Sequence, residues 1–470
     1  MGQGGPGLGG GGQGRQGAAR AQRGATQEAV RRHNLAAVLG QLHRHGPSSR
    51  AQLTRLLGLN RATIGALVED LASRGLVRED GEPERKSRGR PSKVVAVRSD
   101  THAVLALQVG VEAVTLALVG LGGTVLAYRR ATLTGAGAHS VEHVVATAAR
   151  LGRRVLDEAA AELVVVGIGV AAPGAVSLET GLVHFAPNLG WRDVPLGQMV
   201  RSRLGLKVPV QVGNDGCLGA MAEHSRGVGS RVNDLVYLHA EVGVGGGIIA
   251  GGRMLDGFRG YGGEVGHMQV NPSGLPCHCG LRGCWETESG EEALVRRAGL
   301  LGGGRPAVQT VLRRARAGDP TCLGAVRVTA EWIGVGLITL VNVLNPEMVI
   351  LGGMFEEILE LARPTLTESL LHCGTYGSDP RPVELAKPRF GKMAVLLGAA
   401  ELALQALLAD PTVVPPSDSW QLPSLQPRRS SPTLLRTPSP ARLGPAIMTR
   451  DGAVLLGTDG LGMEPSTVPA

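Results

Sequence analysis

A short cysteine-rich segment, residues 260–286, constrains the fold of this 470-residue chain more than any other feature. Three of the six cysteines fall in it with the spacing C-x-C-x4-C, and a histidine lies ten residues before them; the four residues are His267, Cys277, Cys279 and Cys284. Three thiolates and one imidazole are a standard tetrahedral zinc set. The sequence therefore predicts a metal-binding knuckle, with a cluster of buried free cysteines or a disulfide as the alternatives.

Two carboxylates, Glu264 and Glu286, lie on either side of these cysteines. Because three cysteines and a histidine already fill a tetrahedral shell, neither carboxylate is expected to bind the metal. The intervening glycines permit the backbone to turn so that every sulfur faces one ion. A closed shell leaves no position for water, so we expect a structural metal and carboxylates that bind something else.

The positive charge of the chain is concentrated near its N-terminus. Residues 1–98 contain 17 Lys or Arg against 7 Asp or Glu, whereas the whole chain has a net charge of +8. A basic module on a nearly neutral body is typical of a nucleic-acid-binding protein. Because residues 1–98 contain no Phe, Trp or Tyr to stack on single-stranded bases, double-stranded DNA is the expected partner.

The N-terminal pattern predicts a DNA-binding domain over residues 28–98. Residues 1–27 are mostly Gly, Gln, Ala and Arg, with little that could pack, and we expect them to be disordered. Beyond them, three segments have apolar residues at helical spacing, and a glycine turn separates the last two. This is the layout of a helix-turn-helix, whose last helix enters the major groove. Arg61 and Thr63, near its start, are the predicted base contacts; a three-helix bundle that binds nothing is the alternative.

Two short apolar segments, 76–78 and 94–97, are predicted to pair as strands around a basic loop. A basic loop between two strands after a helix-turn-helix indicates the wing of a winged helix. Arg88 and Arg90 belong to an extended cationic sequence in this loop, and such arginines can reach into a narrow minor groove or along phosphates. We expect both to contact DNA, with a solvated loop as the alternative.

From residue 101 to 408, strands rich in Val, Leu and Gly alternate with amphipathic helices. Polar residues stand at strand ends, for example Asn214 and Asp215 after the strand 208–212. This alternation predicts an α/β body, and its length favours two lobes with a cleft between them. Residues 409–470 are rich in Pro, Ser, Leu and Arg without periodicity, and we expect a disordered tail there.

The sequence also bears on where the protein acts. The first 24 residues lack the apolar segment of a secretory signal, and no uninterrupted apolar run approaches the ~20 residues that cross a bilayer. Half of the six cysteines lie in one knuckle, which does not suggest a disulfide scaffold. We therefore expect a cytoplasmic protein with no membrane partner.

The knuckle and its surroundings resemble the ROK family, named for repressor, open reading frame and kinase. The resemblance is carried by Asn214-Asp215, VGVGGGII at 242–249, GGEVGH at 262–267, CHCGLRGCWE at 277–286, and NPE followed by LGG within 345–353. The N-terminal module, with its Gly-Arg-Pro sequence, is similar to the DNA-binding module of that family's regulators. The resemblance covers about residues 28–408 and implies a two-lobed, actin-like or ribonuclease-H-like sugar-kinase fold.

The resemblance also implies a set of functional residues. The positions that match the family's sugar kinases imply a sugar held by Asn188, Asn214, Asp215, Glu264, His267 and Glu286. Amides and carboxylates can form paired hydrogen bonds with sugar hydroxyls, and Asp215 would be the general base of a kinase. His267 would use one nitrogen for zinc and the other for the sugar. A homodimer or homotetramer on a pseudo-palindromic operator is implied as well.

Both phosphate loops depart from the pattern of the family's kinases. Where those kinases have D-x-G-G-T-K, this sequence has QVGVEA at 108–113, which replaces the aspartate by Gln108 and introduces Glu112. Where they have G-T-G-x-G-G-G, it has EVGVGGG at 241–247, which begins with Glu241. A carboxylate about 4 Å from a phosphate oxygen costs several kcal/mol in a poorly screened cleft.

The sequence therefore predicts a non-catalytic sensor. We expect a DNA-binding transcriptional regulator of genes for sugar uptake or catabolism, and we expect it to act as a repressor. An active ATP-dependent hexose kinase with an added DNA-binding domain is the alternative. A third hypothesis is that the sugar site has lost its function and that a partner protein binds the body.

Overall fold

The structure is a computed structural model, which describes residues 26–80, 93–371 and 383–417. The described residues form a small N-terminal domain and a body of two lobes, each built around a five-stranded sheet. The predicted mixed α/β architecture is confirmed. The segment 1–25, most of the predicted C-terminal tail, and the wing residues Arg88 and Arg90 lie outside the described residues.

The N-terminal domain is a winged helix. Its elements are the helices α1 (Gln27–His45), α2 (Arg50–Leu57) and α3 (Arg61–Ser73) and the strands β1 (Ser48–Ser49), β2 (Val77–Asp80) and β3 (Val94–Val97). Each helix begins at a polar cap, because the side chains of Thr26, Ser49 and Asn60 accept hydrogen bonds from N–H groups of the first turn. The predicted strand pair is antiparallel, and β1 adds a third strand that the sequence did not indicate.

The first lobe combines an antiparallel meander with parallel strands. Its elements are the strands β4 (His102–Val109), β5 (Ala113–Gly120), β6 (Val125–Thr132), β7 (Val164–Ala172), β8 (Ala175–Val176), β9 (Val183–Ala186), β10 (Trp191–Val194) and β11 (Val210–Asn214) and the helices α4 (Val141–Asp157) and α5 (Leu196–Leu204). The main sheet has the order β11-β7-β4-β5-β6, with β7 parallel to both β4 and β11. Strands β4 and β5 are almost continuously apolar because both of their faces are buried.

The second lobe has its own sheet, in the order β14-β13-β12-β15-β16. Its strands are β12 (Leu235–Ala240), β13 (Val244–Ala250), β14 (Arg253–Met254), β15 (Met348–Gly353) and β16 (Glu384–Ala386). The helices of this half of the chain are α6 (Asp215–Arg226), α7 (Trp285–Ser289), α8 (Glu291–Arg297), α9 (Gly304–Arg316), α10 (Pro320–Leu344), α11 (Met354–Leu371) and α12 (Ala394–Ala409). Helix α12 packs on β4 and β7 of the first lobe and on α6, which packs in turn on β13. These two helices therefore connect the lobes.

Two apolar helical segments, Pro320–Leu344 and Gly391–Ala409, are long and apolar enough by composition to cross a membrane. In the fold, 56% and 67% of their most apolar windows are buried inside the protein. Core helices of folded domains pass the same test, so these segments are weak evidence for a membrane span.

The N-terminal domain packs directly on the body. One continuous hydrophobic core contains Leu35, Leu39 and Leu42 of α1 together with Leu404 and Leu407 of α12. A shared apolar core of this kind is expected to hold the domain in a defined position on the body.

The segment 410–417 folds back over the N-terminal domain. Arg74, just after α3, donates hydrogen bonds to the carbonyls of Thr412 and Val414, and the N–H of Ser417 donates to the carbonyl of Ser73. Val414 is itself buried. The expectation that a disordered tail starts at residue 409 is corrected by these contacts, which the composition of the segment did not indicate.

Candidate functional site

A cavity of about 410 Å³ lies between the two lobes, where strand ends of both sheets meet. All six residues expected at the sugar site line it: Asn188, Asn214, Asp215, Glu264, His267 and Glu286. The two altered phosphate loops line it as well, with 108–113 from the first lobe and 241–245 from the second. One continuous cavity thus contains the expected sugar side and the altered phosphate side.

Asn214 and Asp215 stand at the junction of β11 and α6. The side-chain oxygen of Asn214 accepts a 3.0 Å hydrogen bond from the first turn of α6, and its amide donates to the carbonyl of Gly174 at 2.9 Å. Asn214 is thus the cap of the helix as well as part of the cavity wall. Oδ1 of Asp215 accepts a 2.7 Å hydrogen bond from the N–H of Gly216. Burial raises the pKa of Asp215, while His239 acts in the opposite direction.

The glycine run 243–247, which leads into β13, permits close packing on both of its sides. A Cβ on Gly247 would lie 2.4 Å from the carbonyl oxygen of Gly216 in α6. A Cβ on Gly243 would lie 2.8 Å from the carboxylate of Glu286 and 2.9 Å from the amide of Asn188. The run therefore brings two of the expected sugar contacts together and seats α6 against the second sheet.

Glu264 carries a perturbed carboxyl group inside the cavity. Burial, together with the nearby charges of Asp215 and Glu286, raises the pKa of Glu264 to about 7. Near neutral pH such a group can donate a hydrogen bond when protonated and accept several when ionised. Perturbed titratable groups of this kind concentrate at functional sites.

The knuckle brings the four predicted metal ligands together. The ligand atoms of His267, Cys277, Cys279 and Cys284 all lie within 4.8 Å of one another. Sγ of Cys279 is 3.6 Å from Sγ of Cys284, and Nδ1 of His267 is 3.6 Å from Sγ of Cys277. Tetrahedral bonds of about 2.3 Å to sulfur and about 2.0 Å to nitrogen would separate such atoms by about 3.5 to 3.8 Å. The four residues fit a metal ion, and the cluster could bind one.

The surroundings of the cysteines favour a bound cation over free thiolates. Burial raises the pKa of the Cys277 thiol and raises that of Cys284 to about 11. Oε1 of Glu286 accepts a 2.9 Å hydrogen bond from Sγ of Cys277, and the negative charge of Glu286 further opposes ionisation of both thiols. The thiols of Cys277 and Cys284 would therefore ionise at neutral pH only beside a positive charge, which a metal ion would supply.

Trp285 anchors the knuckle in the core of the second lobe, where it is fully buried. Its indole N–H donates a 2.8 Å hydrogen bond to the carbonyl of Trp332. The turn before it requires glycine at position 283, because Gly283 has a φ of +65° and a Cβ there would lie 1.4 Å from the carbonyl oxygen of Asn271. The cluster of three cysteines and one histidine is therefore held between a fixed turn and a buried aromatic side chain.

The altered phosphate side holds a charged cluster that the sequence only partly indicated. Oε1 of Glu112 accepts a 3.1 Å hydrogen bond from the backbone N–H of Arg305, in the first turn of α9. The guanidinium of Arg305 lies 3.4 Å from Glu291. Glu241 lies 3.5 Å from Nε2 of His239, which is buried. Arg305, Glu291 and His239 were not predicted, because no local motif connects them to the cleft.

Two of the four predicted DNA contacts belong to the described residues. Arg61 is the exposed first residue of α3, and the backbone N–H of Thr63 donates to the capping side chain of Asn60 at 2.8 Å. Both therefore lie at the N-terminal end of the last helix, which is where helix-turn-helix proteins contact base edges.

A buried polar cluster, His43–Glu401–Arg226, joins the N-terminal domain to the body and was also not predicted. Nδ1 of His43 in α1 accepts a 2.9 Å hydrogen bond from the N–H of Gly122, and its Nε2 lies 3.0 Å from Oε2 of Glu401 in α12. Nε of Arg226, the last residue of α6, donates to Oε1 of Glu401 at 2.6 Å. Because Nδ1 faces an N–H donor, we assign the ring proton to Nε2, which donates to Glu401.

Fold and site together define a class of protein: a winged-helix domain fixed to a two-lobed α/β body that has a polar interlobe cavity and a His/Cys cluster that could bind a metal. Residues 104–406 match the ROK family, and residues 36–86 match the MarR family. The chain therefore belongs to the ROK family and carries an N-terminal winged helix of the MarR type. The family predicted from the sequence is confirmed.

Known proteins of two kinds are similar to this chain. The xylose repressor of Caldicellulosiruptor bescii is 28% identical over 376 residues, which cover 77% of this chain and 93% of that protein. A ROK family transcriptional regulator, a homologue of the Escherichia coli MLC protein, is similar in structure with a TM-score of 0.64 and 27% identity, over 81% of this chain and 97% of that one. A ROK family glucokinase from Streptomyces griseus in complex with glucose and AMPPNP has a TM-score of 0.57 and 29% identity, over 64% of this chain and 99% of that one. The two regulators cover more of the chain than the kinase does.

Proposed function

We propose that this chain is a DNA-binding transcriptional repressor that responds to a sugar. One observation carries the proposal: a winged-helix domain shares a hydrophobic core with a body whose cavity joins six sugar-type polar residues to an acidic phosphate side. The xylose repressor and the transcriptional regulator that resemble this chain support it. We expect the protein to act in the cytoplasm, as a homodimer or homotetramer on pseudo-palindromic DNA, on genes for sugar uptake or catabolism.

The sugar is proposed to bind to the six expected residues of the cavity. Asn188, Glu264 and Glu286 come from three different segments, so each would contact a different hydroxyl of the ring. Sites that pair every hydroxyl with a buried polar group discriminate strongly, because a wrong epimer leaves such a group unpaired. Asn214 would take part with the amide hydrogen that does not bond to Gly174.

The metal is proposed to be a structural Zn²⁺. Cys277, Cys279, Cys284 and Nδ1 of His267 would hold it, and when bound it would supply the positive charge that keeps the thiols ionised. Of these four residues only His267 also lines the cavity. Its Nε2 would therefore be oriented toward the sugar by the bond that Nδ1 makes to the metal.

We propose that the body does not transfer phosphate. Asp215 is retained at the position of a kinase base, but Glu112 and Glu241 stand where a nucleotide triphosphate would pass. A coupled assay of ATP turnover against a panel of hexoses tests this proposal. Sugar-dependent turnover that disappears in Asp215→Asn would instead support a hexose kinase with a DNA-binding domain.

Helix α6 is the proposed connection between the sugar and the DNA-binding domain. It begins at Asp215 in the cavity and ends at Arg226, which bonds to Glu401 and through it to His43. A sugar that binds one arrangement of the lobes more tightly shifts the population toward it. The shift would reach α1 through these side chains.

The test uses an operator selected by the full-length protein from a random duplex pool. Operator affinity is then measured by fluorescence anisotropy with D-xylose, D-glucose or N-acetyl-D-glucosamine present. We expect at least one sugar to weaken operator binding by about tenfold, a typical allosteric coupling. Glu264→Gln should keep operator binding and lose the response, whereas His43→Leu should keep sugar binding and lose the response.

The outcomes separate the parts of the proposal. An unchanged response in His43→Leu would refute the proposed route but not the function. If none of the sugars binds and none changes operator affinity, the proposed function fails, and the hypothesis that a partner protein binds the body is favoured.

A further inference from the structure

The cavity carries an excess of acidic groups. Six carboxylates line it: Glu112, Asp215, Glu241, Glu264, Glu286 and Glu291. Three Lys or Arg residues line the cavity: Arg130, Arg305 and Lys392. Arg130 and Lys392 are exposed, so water screens their charges. The guanidinium of Arg305 lies 3.4 Å from Glu291 and 3.8 Å from Glu357, so it already has carboxylate partners within the protein.

Glu112 occupies the position at which α9 would bind an anion. The N-terminus of a helix offers backbone N–H groups and a positive dipole end to phosphates and carboxylates alike. Here the N–H of Arg305 donates to Oε1 of Glu112 at 3.1 Å, across the cleft from the other lobe. Gly304, with a φ of +73°, permits this approach, because a Cβ there would lie 2.6 Å from the same oxygen. The carboxylate of the chain itself thus takes the place of a bound anion.

His239 provides an independent observation on the same side of the cavity. It is 7% exposed, and neither of its ring nitrogens makes a hydrogen bond within the described part of the chain. Burial opposes ionisation of Glu241 beside it, but His239, Arg305 and Arg130 lower the pKa of Glu241 to about 2, so that it is charged at neutral pH. Burial opposes ionisation of His239, but the charges of Glu241 and Asp215 raise its pKa, so its two ring nitrogens are suited to donate to sugar hydroxyls. Glu241 offsets the charge of His239, and a phosphate at this place would meet the charge of Glu241 as well.

We infer that the effector is a sugar without a phosphate ester, and that Glu112 excludes the phosphorylated form. The inference rests on the proposed sugar site. Asp215 lines the cavity close enough to both sides for its charge to act on Glu264 of the sugar side and for Glu241 of the phosphate side to act on it. A phosphate on the hydroxyl nearest to Asp215 would enter between Glu112 and Glu241 and would have to displace Glu112 from α9. The phosphates of a nucleotide meet the same obstacle.

The experiment is isothermal titration calorimetry on the full-length protein. The probes are D-glucose, N-acetyl-D-glucosamine, D-mannose and the 6-phosphate of each, with inorganic tripolyphosphate as a probe for the phosphate side alone. Glu112→Gln removes the charge and retains an oxygen that can accept from Arg305. Glu142→Gln removes a charge from the exposed first turn of α4 and is the matched control. Circular dichroism checks that both variants are folded.

We expect the wild-type protein to bind at least one free sugar and to bind its 6-phosphate at least about 30-fold more weakly, which corresponds to about 2 kcal/mol. Glu112→Gln should reduce that ratio by about tenfold and should gain measurable binding of tripolyphosphate. Glu142→Gln should behave as the wild type.

Two results would overturn the inference while leaving the sugar site intact. One is a wild-type protein that binds a 6-phosphate as tightly as the free sugar. The other is a ratio that Glu112→Gln leaves unchanged, which would mean that shape rather than charge excludes the phosphate. If no probe binds and D-xylose does not bind either, the proposed sugar-responsive function fails and the inference fails with it.

Discussion

Replacement of Glu401 by glutamine is expected to lower the free energy of unfolding by about 3 kcal/mol at pH 7. The carboxylate lies in the buried cluster between the two domains, where it accepts hydrogen bonds from Arg226 and His43. The side chains of Glu401 and Arg226 are only 5% and 9% exposed. Glutamine retains the shape but leaves the buried guanidinium without an opposite charge.

Two independent estimates give this magnitude. Burial opposes ionisation of Glu401, but His43 and Arg226 lower its pKa from 4.5 to about 2. A group whose pKa falls by that amount on folding contributes about 3 kcal/mol at neutral pH. Removal of one partner from a buried ion pair typically costs about 3 to 5 kcal/mol. The two values agree, although one follows from the lowered pKa of Glu401 and the other from the usual cost of removing a buried partner.

The sign of the pH dependence provides the sharper test. Because folding lowers the pKa of Glu401, its contribution is fully present above pH 4.5 and is lost as the pH falls through about 2. The difference between the wild type and Glu401→Gln should therefore narrow from about 3 kcal/mol at pH 7 to about 2 kcal/mol at pH 3.5. Urea unfolding followed by tryptophan fluorescence at both pH values measures this difference.

A matched control is Glu331→Gln, which breaks an exposed pair with Arg327 and should change the free energy of unfolding by about 0.5 kcal/mol or less. A loss below about 1 kcal/mol in Glu401→Gln at pH 7 would refute the reasoning, because it would place the carboxylate in contact with water. A loss that does not change with pH would also refute it, since the effect would then come from packing rather than charge.

Three further predictions concern other sites. Burial raises the pKa of Glu291 to about 7 although Arg305 lowers it, so the charged form of Glu291 destabilises the folded protein above pH 4.5. Glu291→Gln should therefore raise the free energy of unfolding by up to about 3 kcal/mol at pH 8 and change it little at pH 4. Urea unfolding at both pH values measures the difference. Cys279→Ser should lose bound metal by mass spectrometry, whereas Cys322→Ser, outside the cluster, should keep it. Arg61→Ala should weaken operator binding by about 1 to 3 kcal/mol in anisotropy titrations and change the preferred base, unlike a substitution on the body.

The bounds of a helix or strand could be predicted closely from the sequence where neighbouring residues determine them. Asn60 is a residue type that favours a helix cap, and the third helix begins directly after it at Arg61. The strand Val94–Val97 has the bounds expected from its apolar run. The apolar face of the segment 141–162 predicts one long helix over those residues, but the helix in the structure ends at Asp157. The Ala and Glu residues that follow have helix propensity, yet most of them are exposed and have no apolar face to bury, so propensity alone did not extend the helix.

The parts of the site that depend on long-range contacts could not be predicted in the same way. The cysteine spacing indicated the knuckle, because its ligands are close in sequence. Glu112 and Arg305, whose backbone N–H it accepts from, are 193 residues apart in the sequence. His43 and Glu401 are 358 residues apart. Neither pair has a motif that connects its members. A lone histidine in a helix is ordinarily a partly exposed residue, and this one is buried where α1 packs on α12 and on the turn that contains Gly122.

Helix α6 has a property that bears on how a signal could pass from the cavity to the N-terminal domain. Its 12 residues span about 17 Å, with Asp215 at one end and Arg226 at the other. It packs on α12 without an intervening side chain, since a Cβ on Gly398 would lie 1.8 Å from the carbonyl oxygen of Leu218. Two helices in such close contact are expected to move together rather than slide. A displacement at Asp215 would therefore carry Arg226 and Glu401 as one unit, so the buried ion pair would stay intact in both arrangements. The contact that must adjust is then the one to His43, which belongs to the other domain.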